Sequence, residues 1–556
     1  MNALRRTAVL LAAALLVPNL VACASAMAKD NTQTNAVSSD STSFSQRSAV
    51  TISTPSLTSC PYDTSVEPKN PQIASTTQVT YAPSPETVDT LPSREQTTVE
   101  LPLTTPEEST VTTIRIEQSV PETTAPQSAT TVPVTGQPEM TEKPKIPEPI
   151  TFDTPVIDAL PNWDKDRTVV HYNDFKAMWI SQYDLYGIYT NNGSQREETD
   201  YTNRIQQMLD NVQSLGFNTV ILQVRPNGDS MYPSEIYPMC QYVVGTYGVE
   251  ARYDPIDILV KEAHQRSISI HAWINPLRAM TDDEILLIDP SYTIREWHDD
   301  PQKNGTYLVL YKGRYYLNPA YKEVRELIIS GAKEVLTRYP FDGLHMDDYF
   351  YPTTNTSFDA DAYNAYVQSG GEMNLGDFRR AQINRLVADL YRVTKSVHPN
   401  LRYGISPAGN YDYAYASQYA DFYTWCGNDG YIDYICPQIY YGLEHQIYPF
   451  GGICEIFSDM ITVDSIDLII GMAFGKAESQ TDKWAGTGVN EWKDNKDVMK
   501  RSLEYTANLQ HCTGIAVFCY QYFYHPVTGV LEDDIAEERN NFLPVLNRIT
   551  WQTTKE

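Results

Sequence analysis

Residues 165–552 are predicted to form a (β/α)8 TIM barrel of the α/β class, with long loops at its C-terminal face. Three observations predict it. Eight short apolar runs of strand composition recur along this stretch. Amphipathic segments of helical period separate them. Polar and aromatic clusters follow the strand ends, where such barrels carry their chemistry.

The strand candidates are KAMWIS (176–181), TVILQV (219–224), SISIHAWI (267–274), FDGLHMDD (341–348), RYGIS (402–406), IDYICPQIY (432–440), DLIIGMA (467–473) and GIAVFCY (514–520). After the first, YTNRIQQMLDNVQSLGF sets Ile205, Met208, Leu209 and Val212 at helical spacing. DPIDILVKEAHQRS opens with Asp254 and Pro255, a cap followed by a first-turn proline. VRELIISGAKEVLTRYP and FRRAQINRLVADLYRVTKSVHPN repeat the pattern at greater length. KDVMKRSLEYTANLQH precedes the last strand and AEERNNFLPVLNRI follows it. The domain exceeds the ~250 residues usual for such barrels. The excess lies after strands, at residues 225–253, 275–319 and 349–376, and predicts a built-up cleft.

The segment before the barrel differs in kind. Residues 1–22 have a basic head at Arg5 and Arg6, an apolar stretch and small residues, the pattern of an export signal. Leu20, Val21, Ala22 and Cys23 resemble the lipobox of bacterial lipoproteins. That resemblance implies cleavage before Cys23, lipid on its thiol, and a membrane-anchored, extracytoplasmic place in the bacterial cell envelope. Residues 23–150 are rich in Thr, Ser, Pro, Glu and Gln. They carry too few large apolar groups to offset ordering entropy, and read as a disordered tether. No apolar run after the export signal is long enough to span a bilayer. The net charge of -28 argues against a nucleic-acid partner. No cysteine pair has the CxxC spacing of a zinc site, and no cofactor is expected.

The fourth strand candidate ends on two adjacent aspartates, Asp347 and Asp348. Strands seldom carry Asp, and two like charges side by side do nothing for a fold. By alternation, Leu344 and Met346 face the helices, while Gly343, His345 and Asp347 face the barrel. Asp347 then stands inside the mouth and Asp348 at its rim. Other strand ends are polar too. They supply Arg225 and Asp229; His271, Trp273, Asn275 and Arg278; Gln438, Tyr440, Tyr441 and Glu444; Tyr520 and Gln521. Carboxylates, amides, a guanidinium and aromatic faces around one mouth suit a polyhydroxylated substrate.

The blocks QVRPNGDSMYPS, HAWINPLR, YLNP, FDGLHMDDYFYP, GISP and PQIYYG occur in this order. Together they resemble the family-10-like glycosyl hydrolases, bacterial exported barrel proteins, over about residues 170–550. The resemblance implies a barrel acting on cell-envelope or other extracellular polysaccharide, peptidoglycan strands included. It implies a catalytic centre at Asp347 and Asp348, and matches the RP…GD block to Arg225 and Asp229. A more distant similarity is to chitinase-type barrels, whose fourth strand reads DGxDxDxE. Asp342, Gly343 and Asp347 match that pattern, but Tyr349 stands where those enzymes carry the proton-donating Glu. Their mechanism therefore does not carry over intact.

Glycoside hydrolysis generally uses two carboxyl groups. Asp347 is expected to be one, with Asp348, Asp229 or Glu444 as its partner, in that order. Like-charge repulsion from Asp348 is expected to raise the pKa of Asp347. Arg225, Trp273, Asn275, Arg278, His345, Tyr349, Gln438, Tyr440 and Tyr441 form the expected substrate-contacting set. Two other readings stand beside this one. The same barrel could bind glycans without cutting them, or His271, His345 and Asp347 could converge on a metal ion.

Overall fold

The computed structural model describes residues 167–348 and 350–551. The expected export signal, Cys23, the tether and Tyr349 lie outside the described residues.

Eight parallel strands close a barrel in chain order. They are β1 (Phe175–Ile180), β2 (Thr219–Arg225), β3 (Ser269–Ile274), β4 (Gly343–Met346), β5 (Arg402–Ile405), β6 (Tyr434–Ile435), β7 (Asp467–Ala473) and β8 (Cys512–Phe518). Every strand candidate has its counterpart. The sixth is far shorter than the run 432–440. Pro437 has no N–H to give the ladder, so pairing stops at Ile435 and resumes only as isolated bridges from Gln438 to Ala408 and Gly471.

Helices follow the strands: α1 (Glu198–Ser214), α2 (Pro255–Gln265), α3 (Lys322–Arg338), α4 (Leu375–Val397), α5 (Phe422–Gly427), α6 (Phe450–Met460), α7 (Val498–Thr506) and α8 (Ala536–Leu546). Helix α1 buries Ile205, Met208, Leu209 and Val212, the face its periodicity marks. Asp254 caps α2 by accepting from the Asp257 N–H, with Pro255 as the first helical residue. Helices α5 and α6 carry no clear signal in the sequence: one is six residues long and the other contains Gly451 and Gly452. The long segment after β3, expected from its sequence to be loop, holds a three-stranded antiparallel sheet (Arg278–Thr281, Leu308–Tyr311, Arg314–Leu317).

The interior is filled by rings. His271 Nδ1 and His345 Nδ1 each lie 2.9 Å from the Tyr434 hydroxyl. One hydroxyl proton serves one of them, so the other imidazole donates to the oxygen. Glycines make room for these rings. A Cβ at Gly404 would lie 2.0 Å from the Tyr434 ring, and one at Gly343 would lie 2.7 Å from His271 Nδ1. Asp342 ties the N-terminal end of the barrel. Its carboxylate accepts from the Val170 and Ile270 N–H groups and sits 2.9 Å from His264 Nε2. Six described cysteines are buried and none is bridged. No helix among the described residues is long and apolar enough to cross a membrane.

Candidate active site

Asp347 is the first residue after β4, and its Oδ2 accepts a hydrogen bond from Asn275 Nδ2. Asn275 is the first residue after β3, and its Oδ1 accepts from Gln223 Nε2 at 2.8 Å. Gln223, inside β2, accepts on Oε1 from the Gln182 backbone N–H at 2.7 Å. Gln182 opens the short helix Gln182–Tyr189 after β1. Residues on or just after four consecutive strands thus meet in one row of hydrogen bonds that finishes on Asp347.

Asp348 has a different environment. Burial raises its carboxyl to about 7. Its own backbone N–H, a hydrogen bond with Gln438 and the charge of Arg278 pull the other way without offsetting burial. The expectation placed a raised carboxyl at Asp347, through like-charge repulsion; the carboxyl of its neighbour Asp348 is raised, and burial is the leading cause. Asp348 Oδ1 has no hydrogen-bond partner among the described residues. Gln438 is steadied by donating to the Ser406 carbonyl at 3.2 Å, and Gln418 donates to the Asp348 carbonyl at 3.3 Å. A carboxyl of this kind is largely protonated below about pH 7 and can give its proton away there.

The remaining expected residues divide. Trp273 is buried in register with Gln223 on one side and His345 on the other. His345 is fully buried, and burial lowers it to about 3, so it is a neutral core group rather than a sugar contact. Arg278 is half-buried and acts on Asp348 through its charge. Tyr440 is half-buried and stacks near Phe518, with centroids 6.1 Å apart. Tyr441 stacks on Tyr448 at 5.4 Å, with Lys476 over its ring at 5.2 Å.

Arg225 points the wrong way for its expected role. The β2–β3 register shifts between Gln223 and Arg225, so Arg225 pairs with Ile274, which faces the helices. The bulge turns its guanidinium outward, where it lies 4.7 Å from the Tyr237 ring centroid and reaches the Ile328 carbonyl of α3. Asp229 is fully buried and spends its oxygens on its own loop, accepting from the Asn227 N–H and the Tyr247 hydroxyl, both at 2.8 Å. Glu444 is solvent-exposed; its backbone N–H, like that of Leu443, donates to the buried carboxylate of Glu491. Neither Asp229 nor Glu444 is brought to Asp347 by any hydrogen bond among the described residues. His271 and His345 both turn Nδ1 to Tyr434, and among the described residues no three His, Cys, Asp or Glu side chains group as a metal site.

Gln182, Gln223 and Gln418 went unrecognised in the sequence. Gln223 did leave a signal: an amide at an inward position of the otherwise apolar run TVILQV. A cavity of about 340 Å³ exists elsewhere, lined by Met239, Val249, Leu287, Ile288 and Tyr292 among others, and neither aspartate lines it.

Comparison with known proteins supplies the family. Residues 174–485 match the family described as Glycosyl hydrolase-like 10. The chain is 30% identical over 313 residues to glycosyl hydrolase YngK of Bacillus subtilis, covering 53% of this chain and 58% of YngK. It is 31% identical over 358 residues to glycosyl hydrolase DigH of Escherichia coli K12, covering 58% of this chain and 78% of DigH. A solved structure, the PgaB (BpsB) glycoside hydrolase domain from Bordetella bronchiseptica, aligns at a TM-score of 0.44 and 11% identity, over 68% of this chain and 99% of that one. The matched span holds Gln182, Gln223, Asn275, Asp347, Asp348 and Gln438, and ends before β8. The chain belongs to the glycosyl hydrolase-like 10 family.

Proposed function

We propose that the barrel is a glycoside hydrolase in which Asp348 is the proton donor and Asp347 its ionised partner. One observation carries this reading: two adjacent buried carboxyls at the end of β4 are held by different partners. Asp348 is raised to about 7 by burial and has one oxygen unpartnered among the described residues, whereas Asp347 receives the Asn275 amide N–H. Environments that push two carboxyls apart define an acid and a base. In the reaction, the Asp348 carboxyl gives its proton to the departing glycosidic oxygen as the C–O bond breaks. Asp347 supplies negative charge to the sugar, as nucleophile or as base toward water, and product stereochemistry distinguishes these courses.

The proposed substrate is a cell-envelope or other extracellular polysaccharide, peptidoglycan glycan strands among them. Support comes from the family, from the Tyr440 and Tyr441 rings near Gln438, and from the export-signal pattern ahead of the barrel. In this reading lipid on Cys23 anchors the chain, and residues 23–150 hold the barrel away from the membrane.

The test is digestion of a glycan panel by the full chain. The panel holds peptidoglycan with and without stem peptides, chitin oligomers and common polysaccharides, read by mass spectrometry with and without EDTA. New reducing ends that vanish in Asp347→Asn and Asp348→Asn and persist in EDTA are expected. Tight retention without cleavage by the unmodified chain would overturn the proposal in favour of a glycan-binding lipoprotein.

A further inference from the structure

We infer that Gln223 is a positioning residue: it fixes the direction of the hydrogen-bond row from Gln182 to Asp347 and thereby holds Asp347 as the charged carboxylate. The kinetic part of this inference rests on the glycosidase reading; the structural part does not.

The direction of the row is forced by its first member. The Gln182 backbone N–H can only donate. It belongs to the first residue of a helix, where backbone N–H groups have no partner within the helix, and it carries the positive end of that helix's dipole. Gln223 must therefore present Oε1 to it, at 2.7 Å. Only Nε2 then remains for Asn275, and a donor there must meet an acceptor, so Asn275 presents Oδ1 at 2.8 Å. Nδ2 of Asn275 is left to face Asp347, and it donates to Oδ2. Each amide has two ends and each end is assigned by its predecessor. Gln223 and Asn275 are both 1% exposed, so solvent does not compete for these ends. An N–H aimed at a carboxylate oxygen favours the charged form.

Titratable and charged groups also stand near the row. Asp348 adjoins Asp347, and Arg278 acts on it from the loop after β3. His345 lies across Trp273 from Gln223 and is neutral. Asp184, on the helix that Gln182 opens, gives its oxygens to Ser181 and to the Gln521 N–H.

Gln223→Glu separates polarity from packing. A protonated Glu side chain accepts from the Gln182 N–H and donates its hydroxyl to Asn275 Oδ1, as Gln does. An ionised one has no donor. Asn275 must then turn Nδ2 toward residue 223 and Oδ1 toward Asp347. The expected result is a variant close to the unmodified chain at low pH that loses kcat as the new carboxyl ionises, with KM unchanged. Gln223→Met is expected to lose kcat at all pH values. The second readout needs no glycan. The Asp347 carboxyl carbon, in the full chain labelled with 13C-aspartate and assigned by its loss in Asp347→Asn, is followed against pH. Its titration is expected to move up by about one unit or more in Gln223→Met, and in Gln223→Glu above the ionisation of the new group. An Asp347 titration unchanged in both variants overturns the inference. So does a Gln223→Glu activity profile parallel to that of the unmodified chain. If the unmodified chain cuts no glycan, the glycosidase reading fails while the 13C titration still judges the row. If Gln223→Met does not fold, Gln223→Glu at low pH provides the folded reference.

Discussion

Asn275 donates through Nδ2 to Asp347 Oδ2 across 72 residues of sequence, joining the end of β3 to the end of β4. The contact gives Asp347 a partner that its chain neighbour does not share. Asp347 meets the Asn275 donor, and Asp348 meets Gln438, with one oxygen unpartnered among the described residues.

Asn275→Ala removes that donor and leaves the aspartates in place. On a cleaved glycan, kcat is expected to fall on the order of 10²-fold or more, as for loss of one aimed donor in a buried site. KM should barely move, because the amide touches the carboxylate rather than the sugar. Steady-state kinetics check this, and a rise in KM at constant kcat would instead make Asn275 a sugar ligand.

The proton on Asp348 sets an upper pH limit. With its carboxyl raised to about 7, the fraction able to donate falls as pH passes through that value. The kcat/KM profile is expected to decline above about pH 7 and to follow a single proton on that limb. An alkaline limb that persists in Asp348→Asn would show that another group is responsible.

The same burial acts on stability. The folded-state value of Asp348 lies above the ordinary carboxylate value of 3.8, so the folded chain holds this proton more tightly than the unfolded chain. The resulting stability is fully present below 3.8, declines as pH rises and is lost through about 7. Asp184, also raised by burial, to about 6, adds a decline of the same sign to every variant that retains it. Asp229, Asp254, Glu334, Glu491 and Glu538 are also raised by burial and stay in both chains, so Asp348→Asn removes only its own share of the decline. Its melting temperature is expected to pull ahead of the unmodified chain between pH 4 and 7, with a gain of at most roughly 4 kcal/mol at pH 8. Thermal melts across pH 4–8 measure it. A constant gap between the two chains would contradict the burial of the charge.

Arg225 offers a test of the strand bulge. Its guanidinium packs against Tyr237 and directly over Gly331 of α3, where an added Cβ would lie 2.4 Å from Nη1. Arg225→Met is expected to leave KM unchanged and to cost about 1–3 kcal/mol in denaturant unfolding. A large KM effect with unchanged stability would put Arg225 back in the mouth.

Glu444 and Asp347 should respond oppositely to loss of charge. Glu444 is exposed and engages the structure through its backbone N–H, so Glu444→Gln is expected to stay within about twofold in kcat/KM. Asp347→Asn should lose about 10²-fold or more. Parallel assays on one substrate make the comparison.

The sequence by itself determined the eight strands, most of the helices between them and the aspartate pair at the fourth strand end. Each is a local pattern: apolar runs of strand length, helical periodicity, and charges where a strand should have none. The tertiary structure alone decided which way Arg225 points, that Asp229 braces its own loop, that His345 joins a ring layer with Tyr434, and that burial raises Asp348. Those properties depend on register between strands and on burial summed over distant neighbours. One bulge between β2 and β3 reverses a side chain, and one amide at Gln223 gives direction to a row ending on a residue of β4's exit. Neither is a function of spacing along the chain, because both arise only when separate strands are laid side by side.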